Sequence, residues 1–401
     1  MYKIIILVFI VIIGGVLFWQ YSDFFKDKVV DEQETILVGA LLDITGDWSS
    51  LGESSKIALN IAVTDINDYF SSIDSKKRIE IIIKDTKGNP EKALEELKLL
   101  KEKGVMTVIG PQSSSEVKAV KNYADQNNIL IISQGSTAHS LAYPNDNVFR
   151  FVTDDVYEGK AVADLMNKDG IKAIIPIWRD DAGNGGLHAA VTSSFEDRGG
   201  IALDGQKYDP DTKDFKEIIE KLNLIAEEVI SEQGADSVAI YLAAFNEVIN
   251  IFNEASKYDN LSKVKWYGSN GVALSSALID NSEAVKFAVK IEYPCPINAE
   301  GDTDDYNQIK ERVSQELNKS PETYSMAAYD ALWVIAESYS NVDDANDFEV
   351  FKSEFIKQAN SYTGITGSTA LNEAGDRMFW KYDFWAIKEV DGSFKWQIIS
   401  E

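Results

Sequence analysis

VMTVIGPQSSSEVKAVKNYADQNNILIISQGST, residues Val105 to Thr137, is the stretch that decides the fold of this chain. Val105 to Ile109 is a short apolar run stopped by Gly110 and Pro111, which predicts a buried strand ending at a sharp turn. Ser113, Ser114 and Ser115 follow, ahead of Glu116 and a stretch with Val117, Val120 and Ala124 at helical spacing. One of these serines is the expected N-cap. Ile129 to Ile132 gives a second strand, and its carboxyl end again meets polar groups in Ser133, Gln134, Gly135, Ser136 and Thr137. Two successive strand ends thus bring backbone N–H groups, hydroxyls and the positive end of a helix to neighbouring places, where an open α/β sheet binds a small anionic group. One serine cluster alone is explained by helix capping. Two clusters, with Gly135 permitting close backbone approach, point to a site.

The flanking sequence continues the same alternation. Thr35 to Leu42 reads as a strand, Asp43 to Gly52 as a polar loop holding Trp48, and Ser54 or Ser55 as the start of a helix with Ile57, Ala58, Ile61, Ala62 and Ile66 on one face. Arg78 to Asp85 is a strand and Pro90 to Lys103 a helix opened by proline. Strand and helix in turn imply a parallel sheet. Near Phe149 to Asp155 the pattern starts again, with helix Val156–Lys168, strand Lys172–Trp178, helices Gly185–Arg198 and Phe215–Ser231, and strands Asp236–Leu242 and Val264–Gly268. Lys290 to Pro294 reads as a crossing back, and helices Asp304–Asn318 and Tyr324–Tyr339 return the chain to the first lobe. The tail, at Tyr362–Gly367, Arg377–Val390 and Phe394–Ile399, reads as strands and hairpins, with a turn at Asp391 and Gly392. At 401 residues, two lobes are expected.

Composition narrows the function. A formal net charge of -26 repels nucleic acid, whose recognition depends on clustered Lys and Arg. Cys295 is the only cysteine, so no intrachain disulfide or cysteine-based metal cluster forms, and a packed thiol is expected. His139 and His188 lie far apart, and neither metal nor cofactor is expected. The acid pairs Asp154–Asp155 and Asp180–Asp181 read as solvated loop residues without a positioned partner, so the chain is not expected to be an enzyme. Gly183 to Gly186 lack the following Lys and Ser or Thr of a phosphate loop. After Lys3, Ile4 to Trp19 is an apolar run with Trp19, Tyr21, Phe24 and Phe25 at its end, which reads as an uncleaved membrane anchor or a signal segment. Either way the body of the protein lies outside the cytoplasm.

The order of motifs resembles the type I periplasmic solute-binding proteins, typified by the leucine, isoleucine and valine binding proteins of ABC transporters. Five segments carry the resemblance: LLDITGDWSSLGESSKIALNIAVTDIN (Leu41–Asn67), VIGPQSSSEVKAV (Val108–Val120), IISQGST (Ile131–Thr137), AAYDALWVIAES (Ala327–Ser338) and YTGITGSTALNEAGDR (Tyr362–Arg377). It implies two Rossmann-like lobes joined by a three-strand hinge and closing on a ligand, behind the anchor or signal segment 1–22 and the linker 23–34. The first lobe is expected at 35–152 with 293–360, the second at 153–292 with 361–401. By resemblance, Trp48 lies against the ligand, and Ser113, Ser114, Gly135 and Thr137, with Ser136 nearby, grip its carboxylate. Phe245 offers a ring. The second lobe departs from the family pattern: Asp180, Asp181, Ala182, Gly183 and Asn184 lack the usual aromatic, and Asn270 stands where amino-acid binders carry a carboxylate, with Asp181 as a replacement. The implied function is capture of a small polar solute, an amino acid or related amide or carboxylate, for ABC permease subunits at the membrane. A membrane-tethered sensing domain using the same cleft is the alternative.

Overall fold

The computed structural model describes residues 33–342, 344–378 and 381–399. The first lobe is built from β1 (Glu34–Leu42), α1 (Ser49–Ser72), β2 (Lys77–Asp85), α2 (Pro90–Glu102), β3 (Thr107–Ile109), α3 (Ser114–Gln126), β4 (Leu130–Ser133) and β5 (Val148–Arg150). These strands form one parallel sheet in the order β2-β1-β3-β4-β5. Strands covered on both faces must be apolar throughout, and β3 and β4 are buried at every position.

The second lobe contains α4 (Asp155–Lys168), β6 (Ala173–Arg179), α5 (Ala182–Glu196), β7 (Ile201–Ala202), β8 (Gln206–Tyr208), α6 (Lys216–Gln233), β9 (Val238–Ala243), α7 (Val248–Ala255) and β10 (Lys265–Tyr267). Its sheet runs β10-β9-β6-β7, with β8 also beside β6. Helices α8 (Ser276–Asp280) and α9 (Ser282–Lys290) lead to β11 (Cys295–Asn298). Next come α10 (Asp304–Leu317), α11 (Tyr324–Asn341) and α12 (Phe348–Ser361), of which α10 and α11 pack on α1. The small hairpin β12 (Thr363–Gly364) and β13 (Gly367–Ser368) precedes β14 (Tyr382–Val390) and β15 (Ser393–Ile398). Strands β11, β14 and β15 make a three-stranded antiparallel sheet, and Asp391 and Gly392 turn the last hairpin with positive φ at both positions.

The sequence reading differs from the structure at several elements, among them α12, to which it assigned no helix. The helices at 276–290 and the short β8 were not anticipated, because neither segment carries a long apolar period. The strand expected from Arg377 starts only at Tyr382. The reason is electrostatic: Arg150, at the end of edge strand β5, bonds Asp376 through Nε–Oδ1 at 2.5 Å and Nη2–Oδ2 at 2.6 Å, which holds the preceding loop against β5 as an isolated bridge. The apolar run 4–19 lies outside the described residues, and none of the described helices is long and apolar enough to cross a membrane. Cys295 is buried, and burial pushes its thiol well up.

Arg150 is 1% exposed, so Asp376→Ala leaves a buried guanidinium without its carboxylate. That is expected to destabilise the chain by about 3–5 kcal/mol, read as a lowered urea midpoint. A drop smaller than about 1 kcal/mol would show that the pair does not hold the loop in solution.

Candidate functional site

All strands of a parallel sheet end on one side, and here the carboxyl ends of both sheets face each other across a cleft. Ser113 is the N-cap of α3: its hydroxyl accepts from the Glu116 amide, and its backbone N–H donates to Glu116 Oε2 at 3.2 Å, completing a capping box; the hydroxyl also donates to Glu116 Oε2 at 2.6 Å. That leaves Ser114 to face the next strand end. Its hydroxyl accepts from Ser136 Oγ at 3.0 Å and from the Ala138 amide at 3.3 Å. The two hydroxyl clusters seen in the sequence are therefore in contact, beside the first-turn amides of α3, which have no partner within their own helix. Ser115 Oγ accepts from the Ala182 amide of the second lobe, and Asp47 O accepts from the Asn246 amide at 3.2 Å.

Trp48 sits between the lobes and is 4% exposed. Its amide donates to Asp43, its carbonyl accepts from Gln112, and its indole N–H donates to Glu322 Oε2 at 3.1 Å. The ring stacks on Phe245 at 5.2 Å and meets the edge of Tyr324 at 6.3 Å. A Cβ on Gly135 would stand 3.2 Å from Trp48 Cη2, so glycine is what lets the indole lie against that backbone. Over the Phe245 ring lies the guanidinium of Arg179, 5.5 Å from its centroid. Arg179 donates to Asp47 across the cleft at 2.8 Å and forms an ion pair with Asp181 on its own lobe at 2.9 Å. Asp181 also caps α5 through the Asn184 amide. Trp48, Ser113, Ser114, Arg179, Asp181 and Phe245 line a cleft of about 330 Å³.

Deeper in, Thr137 O accepts from the Asp155 amide at 2.8 Å. Asp155 and Glu158, at the start of α4, are both 0% exposed. Glu158 Oε1 accepts from the Asn270 amide at 3.1 Å, and the Asn270 side chain donates to the Tyr324 hydroxyl at 3.3 Å. Burial pushes the Asp155 carboxyl up to about 7, against help to the charged form from the nearby Thr137 hydroxyl. Burial likewise raises Glu158 well above the ordinary carboxylate range, Asp43 to about 7 and Glu322 to about 8. Among the described residues no group of three or more His, Cys, Asp or Glu side chains is arranged to hold a metal ion.

The structure thus gathers Trp48, Ser113, Ser114, Asp181 and Phe245 at the outer part of the cleft, Gly135 behind Trp48, Ser136 against Ser114, and Thr137 and Asn270 beside α4. The sequence reading missed Arg179, Glu322 and Tyr324, and it took Asp155 for a solvated loop residue. Asp154 is the N-cap of α4 and is itself buried, paired with His139 at 2.8 Å, and Asp155 is sealed completely, so neither is the solvated residue expected. The available signal was a carboxylate at the first position of the helix with a second one turn on, directly after a strand end.

A family model described as "Receptor family ligand binding region" matches residues 54–389. An uncharacterized protein of Methanocaldococcus jannaschii is 30% identical over 410 residues, which cover 97% of this chain and 95% of that one. Glutamate receptor 3.7 of Arabidopsis thaliana is 24% identical over 72% of this chain, which spans only 30% of the receptor's length. Among solved structures, the branched-chain amino acid transporter substrate binding protein LivJ of Streptococcus pneumoniae, in complex with isoleucine, superposes with a TM-score of 0.71 at 19% identity, covering 91% of this chain and 99% of that one. A solute binding protein of an ABC transporter from Rhodopseudomonas palustris, in complex with 3,4-dihydroxy benzoic acid, gives a TM-score of 0.71 at 16% identity, covering 91% and 96%. At these identities the structures establish the fold, the two-lobed type I periplasmic binding architecture.

Asp43, Asp155 and Glu322 each hold a proton more tightly in the folded chain than in the unfolded one. Their contribution is fully present below the unfolded carboxylate values and is lost as pH rises through about 7 to 8. His188, stacked on Trp178 and held below its ordinary value by burial, acts in the opposite sense, one group against three. The thermal midpoint of the free protein is therefore expected to fall between about pH 5 and pH 8. A midpoint that climbs across that window contradicts the burial of these acids.

Proposed function

The chain belongs to the family of receptor ligand-binding regions, and on that footing we propose that it captures a small polar solute between its lobes outside the cytoplasm. The observation that carries the reading is the contact of Ser114 with Ser136 at 3.0 Å, which joins two strand ends into one polar seat at the start of α3. A carboxylate there takes hydrogen bonds from Ser114, Ser136 and Thr137, from the amides near Ser113 and Gly135, and from the positive end of the helix. Trp48 and Phe245 form the apolar wall, and Asp181 and Asn270 complete the shell from the second lobe. Closure follows because the guest binds both walls at once, so it favours the closed state over the open one. No bond of the guest is made or broken.

Delivery to ABC permease subunits is the proposed use of the closed form, with residues 4–19 tethering the protein at the membrane. The structural neighbours named above support this, since both are solute-binding proteins of transporters. A sensing role with the same cleft is favoured by one observation, the match of this chain to part of a plant glutamate receptor.

A thermal-shift screen of amino acids, amides and short carboxylates on the full chain tests capture, because a guest that binds the folded state raises the midpoint. Thr137→Val replaces a hydroxyl by a methyl at nearly constant size, and Ser114→Ala removes a hydroxyl. Each is expected to weaken the best guest by about 1–2 kcal/mol, a fall of roughly 5- to 30-fold in affinity. If both variants respond like the parent protein, the carboxylate seat has been placed wrongly.

A further inference from the structure

We propose that Glu322 is the positioning residue for the aromatic wall of the cleft, holding the Trp48 indole in the orientation that meets a guest and coupling guest affinity to its own proton. The inference rests on the capture reading and adds to it a group that acts through Trp48 rather than on the guest.

Trp48 is fixed at its backbone by Asp43 and Gln112, and those bonds leave its side-chain torsions free. Three contacts settle the ring. Phe245 of the second lobe stacks on it at 5.2 Å, the Gly135 backbone admits its edge, and Glu322 Oε2 accepts the indole N–H at 3.1 Å. Of the three only the last is directional, and a buried indole N–H needs such an acceptor. Glu322 lies in the loop between α10 and α11, 274 residues from Trp48 in the chain. Its own backbone is anchored: the amide donates to Ser54 Oγ of α1 at 3.4 Å, and the carbonyl accepts from the Ser325 hydroxyl at 2.6 Å. The carboxyl is thus presented from a fixed point, which is what a positioning group requires.

Glu322 is 1% exposed, and its second oxygen, Oε1, has no hydrogen bond of good geometry among the described residues. The Ser50 hydroxyl of α1 and the Trp48 indole favour the ionised form, and Lys319 does so from an exposed position where it is paired with Glu53. Burial outweighs all three and keeps the proton on up to about 8. An uncharged carboxyl accepts from the indole as an ordinary hydrogen bond, an ionised one as a charge-assisted bond of roughly twice the strength. The indole is therefore held more firmly once the proton leaves. A guest that lies on the indole gains when the ring is already fixed, since less rotamer freedom is lost on binding. Binding then favours the form with fewer protons, so affinity rises with pH through about 8.

Asp43 and Asp155 change charge at about 7, so the quantity that reports Glu322 is the ratio of parental affinity to that of Glu322→Gln, which matches the uncharged acid in shape. L-leucine, benzoate and acetamide serve as probes on the full chain, with calorimetry on those that raise the thermal midpoint. The ratio is expected to lie near one at about pH 7 and to reach about fivefold in favour of the parent at about pH 9. Glu322→Ala leaves the indole N–H without its acceptor and should cost roughly tenfold at either pH. In Trp48→Phe, which has no indole N–H, adding Glu322→Gln is expected to change affinity no further. The free protein gives a second readout: the near-ultraviolet absorption of tryptophan shifts with a midpoint near 8 in the parent, and this step is missing in Glu322→Gln and in Trp48→Phe. An affinity ratio that stays at one across the range overturns the coupling. A Glu322→Gln effect that persists in Trp48→Phe, or a Glu322→Ala variant with lowered stability and parental affinity, overturns the positioning by showing a structural role only. If no probe binds while the absorption step is present, capture fails for these classes and the coupling to a guest falls with it, whereas the bond between Glu322 and Trp48 stands.

Discussion

Parallel strands aim all their carboxyl ends in one direction, and this chain turns two such sheets end to end. Everything at the cleft follows from that constraint. Strand ends deliver loops, and helices that begin there present unbonded amides and a positive pole. In the first sheet those ends are β3 and β4, and the Ser114–Ser136 contact records how closely they meet. In the second they are β6, β9 and β10, which supply Arg179, Phe245 and Asn270. The lobes are also joined by apolar packing, since Trp48 and Leu51 belong to the same buried cluster as the core of the second sheet.

The chemistry of the interface is set by negative charge kept from water. Asp43, Glu322, Asp155 and Glu158 are all buried, and each has its ionised form disfavoured by desolvation. Where the chain has its own remedy the charge is quiet: the Gly46 and Trp48 amides donate to Asp43, and the Trp48 indole to Glu322. At the outer part of the cleft Arg179 serves Asp47 and Asp181 at once, which makes it an interlobe tie as well as a cover for Phe245. Asp155 is helped only at longer range by Arg150 and His139, whose direct partners are Asp376 and Asp154. Glu322 and Glu158 each have one oxygen bonded and the other without a partner among the described residues, and Asp155 has neither oxygen bonded, so the wall of carboxylates is less fully satisfied than the wall of hydroxyls.

Asn270 illustrates how local reading of a loop misleads. As a residue it is an amide in a place where a carboxylate would suit a cation. In the fold its backbone N–H donates to Glu158, so the negative charge reaches the same corner from a helix more than a hundred residues earlier in the chain. The shortened β14 has a similar origin, since the loop before it answers to Arg150 on a distant edge strand.

The sequence by itself determined the alternation of strands and helices, the parallel sheets, the closing hairpin at Asp391 and Gly392, and the hydroxyl clusters at two consecutive strand ends. These are local properties: apolar periodicity, capping chemistry and turn residues act over a few positions. The tertiary structure alone decided that Ser113 is spent on its cap while Ser114 is turned to Ser136, that Arg179 bridges the lobes, and that Asp155 and Glu158 are sealed from water. Burial and ion pairing depend on which segments meet across long sequence separations, and no window of neighbouring residues carries that information.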